Sequence, residues 1–249
     1  MYETIWTYSP LHGIGSTTIL SMKKVIISIV LIALVGGGTA FWYFVIRDEK
    51  LSVSTKNVDT DKSTDEIAEQ SSPDGTWEIQ QQDDVFAGYE IKEIFGGESI
   101  EKTAVGKSKA VTGGFVISDG MISEGLITVD TTKMSSNESR RDDKMSTSGL
   151  EADAFPEAIF DQGEPSALPN GIEKNQELQF ELSGTFFLHG QSKEITFPLK
   201  AKWDGKVIVV SGELEIKLAD YGIEPPDSPF VSVRDEGKIK LQLLFVPKN

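Results

Sequence analysis

The chain has 249 residues, a net charge of −15, two histidines and no cysteine. That composition excludes disulfides, thiolate nucleophiles and cysteine-based zinc sites. It also excludes a nucleic-acid surface, which needs clustered Lys and Arg.

Residues 1–50 carry Lys23, Lys24, Arg47 and Lys50 against Glu3, Asp48 and Glu49, so the net negative charge lies beyond residue 50. Residues 1–24 are expected to form a cytoplasmic segment. Met22-Lys23-Lys24 also has the form of a translation start, and His12 upstream of it is given no functional role. Residues 25–46, VIISIVLIALVGGGTAFWYFVI, are uncharged and long enough for a transmembrane helix, which needs about 20 residues. Phe41, Trp42 and Tyr43 stand where aromatic rings favour the membrane interface. The expectation is a single-pass anchor in the cytoplasmic membrane, with the remainder extracytoplasmic. The alternative is a secreted protein after signal cleavage near Gly38 or Ala40.

Residues 47–75 are rich in Ser, Thr, Asp, Glu and Lys and predict a flexible acidic linker. After Thr76 the pattern changes to runs of period two. Val85, Ala87, Tyr89 and Ile91 alternate with Gly88, Glu90 and Lys92. Ile195, Phe197, Leu199, Ala201 and Trp203 alternate with Thr196, Pro198, Lys200 and Lys202, and later Ile239, Leu241, Leu243 and Phe245 with Lys240, Gln242 and Leu244. Asp119-Gly120 and Asp204-Gly205 each lie between such runs and predict hairpins. The one candidate for a short helix is Arg140–Gly149. Pro198 stands on the polar face of its run and predicts an edge or a bulge there. Residues 76–249 thus read as an all-β, antiparallel domain, a sandwich or a closed barrel of about eight strands.

Within it, AVGKSKAVTGGFVI (Ala104–Ile117), RRDDKM (Arg140–Met145) with LEADAFPEAIF (Leu150–Phe160), GTFFLHGQSKEITFPL (Gly184–Leu199), ADYGIEPP (Ala219–Pro226) and GKIKLQLLF (Gly237–Phe245) occur in one order. In that order they resemble the YceI-like family over roughly Thr76–Asn249. The resemblance implies a lipocalin-like barrel with an apolar tunnel that binds a polyisoprenoid or a similar amphiphilic lipid. Asp83–Gly97 departs from the family pattern, which bears on the ligand more than on the fold.

Tyr89, Ile91, Phe187, Phe197, Trp203, Leu241 and Leu243 are the residues expected to face inward and line the tunnel. Arg140, Arg141 and His189 are head-group candidates, because a guanidinium suits phosphate geometry and His189 flanks a turn at the barrel mouth. With one histidine in the domain and no nucleophile elbow, neither catalysis nor a metal or cofactor is expected. The rival function is a membrane-displayed structural or protein-interaction module of the cell envelope, and a homodimer is allowed.

Overall fold

The computed structural model describes residues 49–56, 58–60, 67–96, 100–169 and 172–248. The expected membrane helix lies outside them. Among the described residues no helix is long and apolar enough to cross a membrane.

The period-two runs form eleven strands: β1 (Gly75–Ile79), β2 (Phe86–Phe95), β3 (Ile100–Ser108), β4 (Val111–Ser118), β5 (Met121–Asp130), β6 (Glu157–Asp161), β7 (Ser166–Ala167), β8 (Glu177–Leu188), β9 (Gln191–Trp203), β10 (Ile208–Lys217) and β11 (Val231–Pro247). They build an eight-stave closed barrel. β1 and β2 act as one bent stave, and β3 and β4 as the next. β5, β6, β8, β9 and β10 follow, and β11 returns to pair with both β1 and β2. The path closes through the β1–β11 pairing, while β3 keeps one outer edge that, among the described residues, pairs only with Ser135, at Lys107. The breaks within the two bent staves are sealed by side chains. Ser108 Oγ donates to Asp130 O at 2.8 Å, and Gln242 Nε2 donates to Asp84 O at 2.8 Å.

The two Asp-Gly pairs behave differently. Asp119 (φ 51°) and Gly120 (φ 74°) both have positive φ, as a two-residue mirror-image turn requires. At Asp204-Gly205 only the glycine does. There the Asp204 carboxylate accepts the amides of Lys206 and Val207, which makes a longer side-chain-capped turn. The β8–β9 hairpin turns on His189 (φ 51°) and Gly190 (φ 72°). The polar Arg140–Gly149 stretch forms a short helix, α1 (Ser139–Lys144), which runs into a wider turn over Met145–Gly149.

β9 and β10 are paired only from Trp203–Ile208 to Leu199–Gly212, whereas β9 stays paired with β8 almost throughout. The parting falls next to Pro198, which has no N–H to give to a ladder. Beyond it β10 remains on β11 alone.

The segment expected as a free linker is held to the barrel wherever it is described. Leu51 N donates to Glu90, Ser54 N to Gln242, and the Thr55 hydroxyl to Glu177 at 2.6 Å. Val58 joins the hydrophobic core, and Gln70 N donates to Gly205 O. Its mean composition is that of a solvated chain, and these contacts are made by a few apolar and polar groups among its described residues.

Candidate functional site

Strand alternation sends one residue in two into the lumen. The result is a cavity of about 100 Å³ whose 24 lining residues are all apolar side chains or glycine. Six phenylalanines dominate it: Phe115, Phe160, Phe180, Phe186, Phe197 and Phe245. Phe115 and Phe245 meet with ring centroids 4.6 Å apart. Gly114 is forced by crowding: a Cβ there would come within 2.1 Å of Trp77 O. The lining of this cavity therefore offers contact and desolvation, with no hydrogen-bonding side chain and no charge. Among the described residues no group of His, Asp or Glu is placed to hold a metal ion.

Of the seven residues expected to line the tunnel, Phe197, Leu241 and Leu243 line this cavity. Trp203 continues the inward row of β9, but it is packed in the core at the end beside the Asp204 turn, 3 % exposed, and does not reach the cavity. Tyr89 pairs with Ile239 across β2–β11, so it shares the inward face. Its ring lies over Gly106, where a Cβ would stand 2.4 Å from Cε1. Burial there pushes the phenol's pKa upward. Ile91, one row further on, lines a second hollow described below. Phe187 is a correction. Phe186 and Leu188 are buried, and the period of two puts Phe187 on the outer face of β8, 41 % exposed. Two adjacent phenylalanines cannot both face in, and the register picks Phe186. The sequence reading also missed Phe115, Phe160 and Phe180, although the same alternation marks them.

The head-group candidates are placed as follows. Arg141 is committed to a two-pronged ion pair with Glu93, Nε to Oε1 at 2.9 Å and Nη2 to Oε2 at 3.1 Å, with both side chains only 10–12 % exposed. Its Nη1 also donates to Asn137 Oδ1 at 3.1 Å. Burial disfavours the charge on Arg141, but the Glu93 hydrogen bonds and charge outweigh it, so its pKa is raised. The pair pins α1 to the barrel and leaves the fork no free edge for phosphate. Arg140 is exposed on α1 and lines neither hollow. His189 holds a corner together. Its Nδ1 lies 3.1 Å from Tyr221 O, its Nε2 lies 2.8 Å from Glu151 Oε2, and its ring packs on Phe155 at 4.5 Å.

The second hollow, about 760 Å³, opens where β9 and β10 part. Ile91, Ile195, Leu214 and Ile216 give it apolar surface, and lysines and carboxylates surround them.

A family model described as the YceI-like domain matches residues 77–245. None of the curated proteins matches the chain. Among solved structures, a polyisoprenoid-binding domain from Saccharophagus degradans, implicated in plant cell wall breakdown, is similar at 15 % identity with a TM-score of 0.53, covering 69 % of this chain and 98 % of its own. Burkholderia cenocepacia BcnA is similar at 18 % identity and a TM-score of 0.47, over 63 % of this chain and 95 % of its own. A Campylobacter jejuni YCEI protein is similar at 17 % identity and a TM-score of 0.47, over 58 % and 85 %.

Proposed function

The chain belongs to the YceI-like family, and from that premise we propose that it binds a polyisoprenoid or similar long apolar lipid in its barrel. The observation that carries the reading is the lumen: a cavity inside a closed barrel, lined by apolar side chains alone. Burying a hydrocarbon chain yields roughly 25 cal/mol per Å² of apolar area, so affinity needs no charge in the cavity. The similar Saccharophagus degradans domain, whose name states polyisoprenoid binding, supports the same ligand class.

The free space also sets a condition. An engineered apolar cavity of about 150 Å³ binds benzene, and the lumen here offers about 100 Å³. A ligand longer than a few carbons must displace phenylalanine side chains as it enters. We place the protein on the extracytoplasmic side of the cytoplasmic membrane, held by residues 25–46, where it would carry or sequester its lipid. Solvent extraction of the purified full-length protein, followed by mass spectrometry, tests the binding. One stoichiometric isoprenoid species is expected, and an extract without lipid from protein made in its native host would contradict it.

A further inference from the structure

We infer that the end of the barrel carrying Phe95, Ile100, Phe230 and Val231 docks on the bilayer surface, with Phe230 inserted among the lipids. This docking rests on the membrane placement proposed above, in which residues 25–46 span the bilayer. Glu49 comes three residues after Ile46, at most about 11 Å of extended backbone. Asn137 Nδ2 donates to the Glu49 carboxylate. Asn137 is bonded in turn to Arg141, and Arg141 to Glu93. From there the segment runs along the outside of the barrel toward its other end. Leu51 is tied to Glu90 and Lys240, Ser54 to Gln242, and Thr55 to Glu177. The chain therefore meets the barrel at the Glu93 end and is fastened there. A free tether would let any face meet a membrane, whereas this attachment presents one end.

That end is apolar at its outermost row. On β2 the inward row runs Tyr89, Ile91, Glu93 and then Phe95. Glu93 pairs with Lys102 on β3 and Val233 on β11, and its carboxylate holds Arg141. One row further out, about 7 Å along the strand, Phe95 pairs with Ile100 and Val231. Directly opposed residues share a face, so three half-buried apolar side chains stand beyond the Glu93–Arg141 ion pair. Phe230 precedes Val231, and its carbonyl accepts the Gly96 amide at 3.2 Å. It is 80 % exposed, the most exposed large apolar side chain among the described residues. Such a cluster is unfavourable in water, but an aromatic ring is at home in the boundary between head groups and acyl chains. The charges beside it are mixed. Glu101 lies 3.6 Å from Lys92 and 3.2 Å from Arg234, and Asp235 and Glu236 follow in the chain. With no positive excess there, docking depends on apolar insertion rather than on anionic lipid.

The chain has no cysteine, so Phe230→Cys and Ser118→Cys each give the full-length protein one attachment point for an environment-sensitive fluorophore. Ser118 is exposed at the opposite end, beside the strand pair Gly75–Ile117, where β11 finishes at Pro247. Both labelled proteins are reconstituted into phosphatidylcholine vesicles that contain lipid with brominated acyl chains. The label replacing Phe230 should shift to the blue and be quenched by the brominated lipid, and the label replacing Ser118 should do neither. High salt should leave that difference intact, because screening acts on charge and not on apolar insertion. Equal quenching of the two labels in protein that stays with the vesicles would overturn the docking. A difference that vanishes in high salt would assign the contact to charge and overturn the insertion of Phe230. Protein that leaves the vesicles in an alkaline wash would strike instead at the membrane anchor, and the docking would fall with it.

Discussion

Phe186 and Phe187 are neighbours in sequence and sit on opposite faces of β8, one in the lumen wall and one on the outer surface. Their substitutions should separate accordingly. Phe187→Ala removes no buried contact of the lumen and is expected to change stability by less than about 0.5 kcal/mol, with lipid binding intact. Ala201→Phe adds a ring at a lumen position that is 2 % exposed. It should cost about 1–3 kcal/mol from overpacking and abolish lipid binding, as read by urea unfolding and by lipid content. Arg141 tests a different idea. If it is structural, Arg141→Ala strands the Glu93 carboxylate and costs about 2 kcal/mol, less than a fully buried pair would, while a lipid already in the lumen stays bound. Loss of lipid at unchanged stability would instead restore the head-group role to Arg141. The sequence could pair neither residue with its partner, because Glu93 and Arg141 are 48 positions apart and only the fold brings them together.

At the scale of strands and turns, period two and the Asp-Gly signals located nearly every stave, and Asp119-Gly120 formed the turn those residues predict. Asp204-Gly205 did not, because its aspartate caps two amides instead of taking positive φ. Pro198 was legible as a break. Which neighbour it would release was not, since that depends on the direction its missing N–H would have pointed. Between 49 and 75, the described residues touch the barrel through a few side chains such as Val58 and Thr55, which average composition does not mark. Register depends equally on particular glycines. Gly113 has φ 131°, and a Cβ there would stand 1.9 Å from Leu126 O on the paired strand. Gly113→Ala must push β4 and β5 apart, and a loss of about 3 kcal/mol or more is expected in thermal or urea unfolding. Wild-type stability in that variant would mean that the β4–β5 register is drawn wrongly.

Across the whole molecule, the negative charge stays outside and the lumen stays uncharged. On the outer wall, Lys240 bonds Glu90 at 2.9 Å and Glu213 at 3.0 Å, and Lys238 bonds Glu213. The Lys238 hydrogen bond holds the Glu213 carboxyl below its ordinary value of 4.5. A lowered folded pKa contributes stability that is complete above the ordinary value and is lost as pH falls through the folded one. Glu213→Gln should therefore lower the urea midpoint at pH 7, and the gap from wild type should close once the pH is well below 4.5. A gap that persists in acid would assign the effect to packing.

The all-β antiparallel class was readable from alternation along each strand, which left sandwich and barrel open, and the barrel with its apolar interior came from the family resemblance. The ion pair, the side cleft and the width of the lumen were not, because each depends on which staves become neighbours. The most direct test of lipid binding is native mass spectrometry of the full-length protein beside its Ala201→Phe variant. The expected result is one lipid per chain in the wild type and none in a folded variant. Equal lipid occupancy in both, or an empty wild-type barrel, would contradict binding in the lumen.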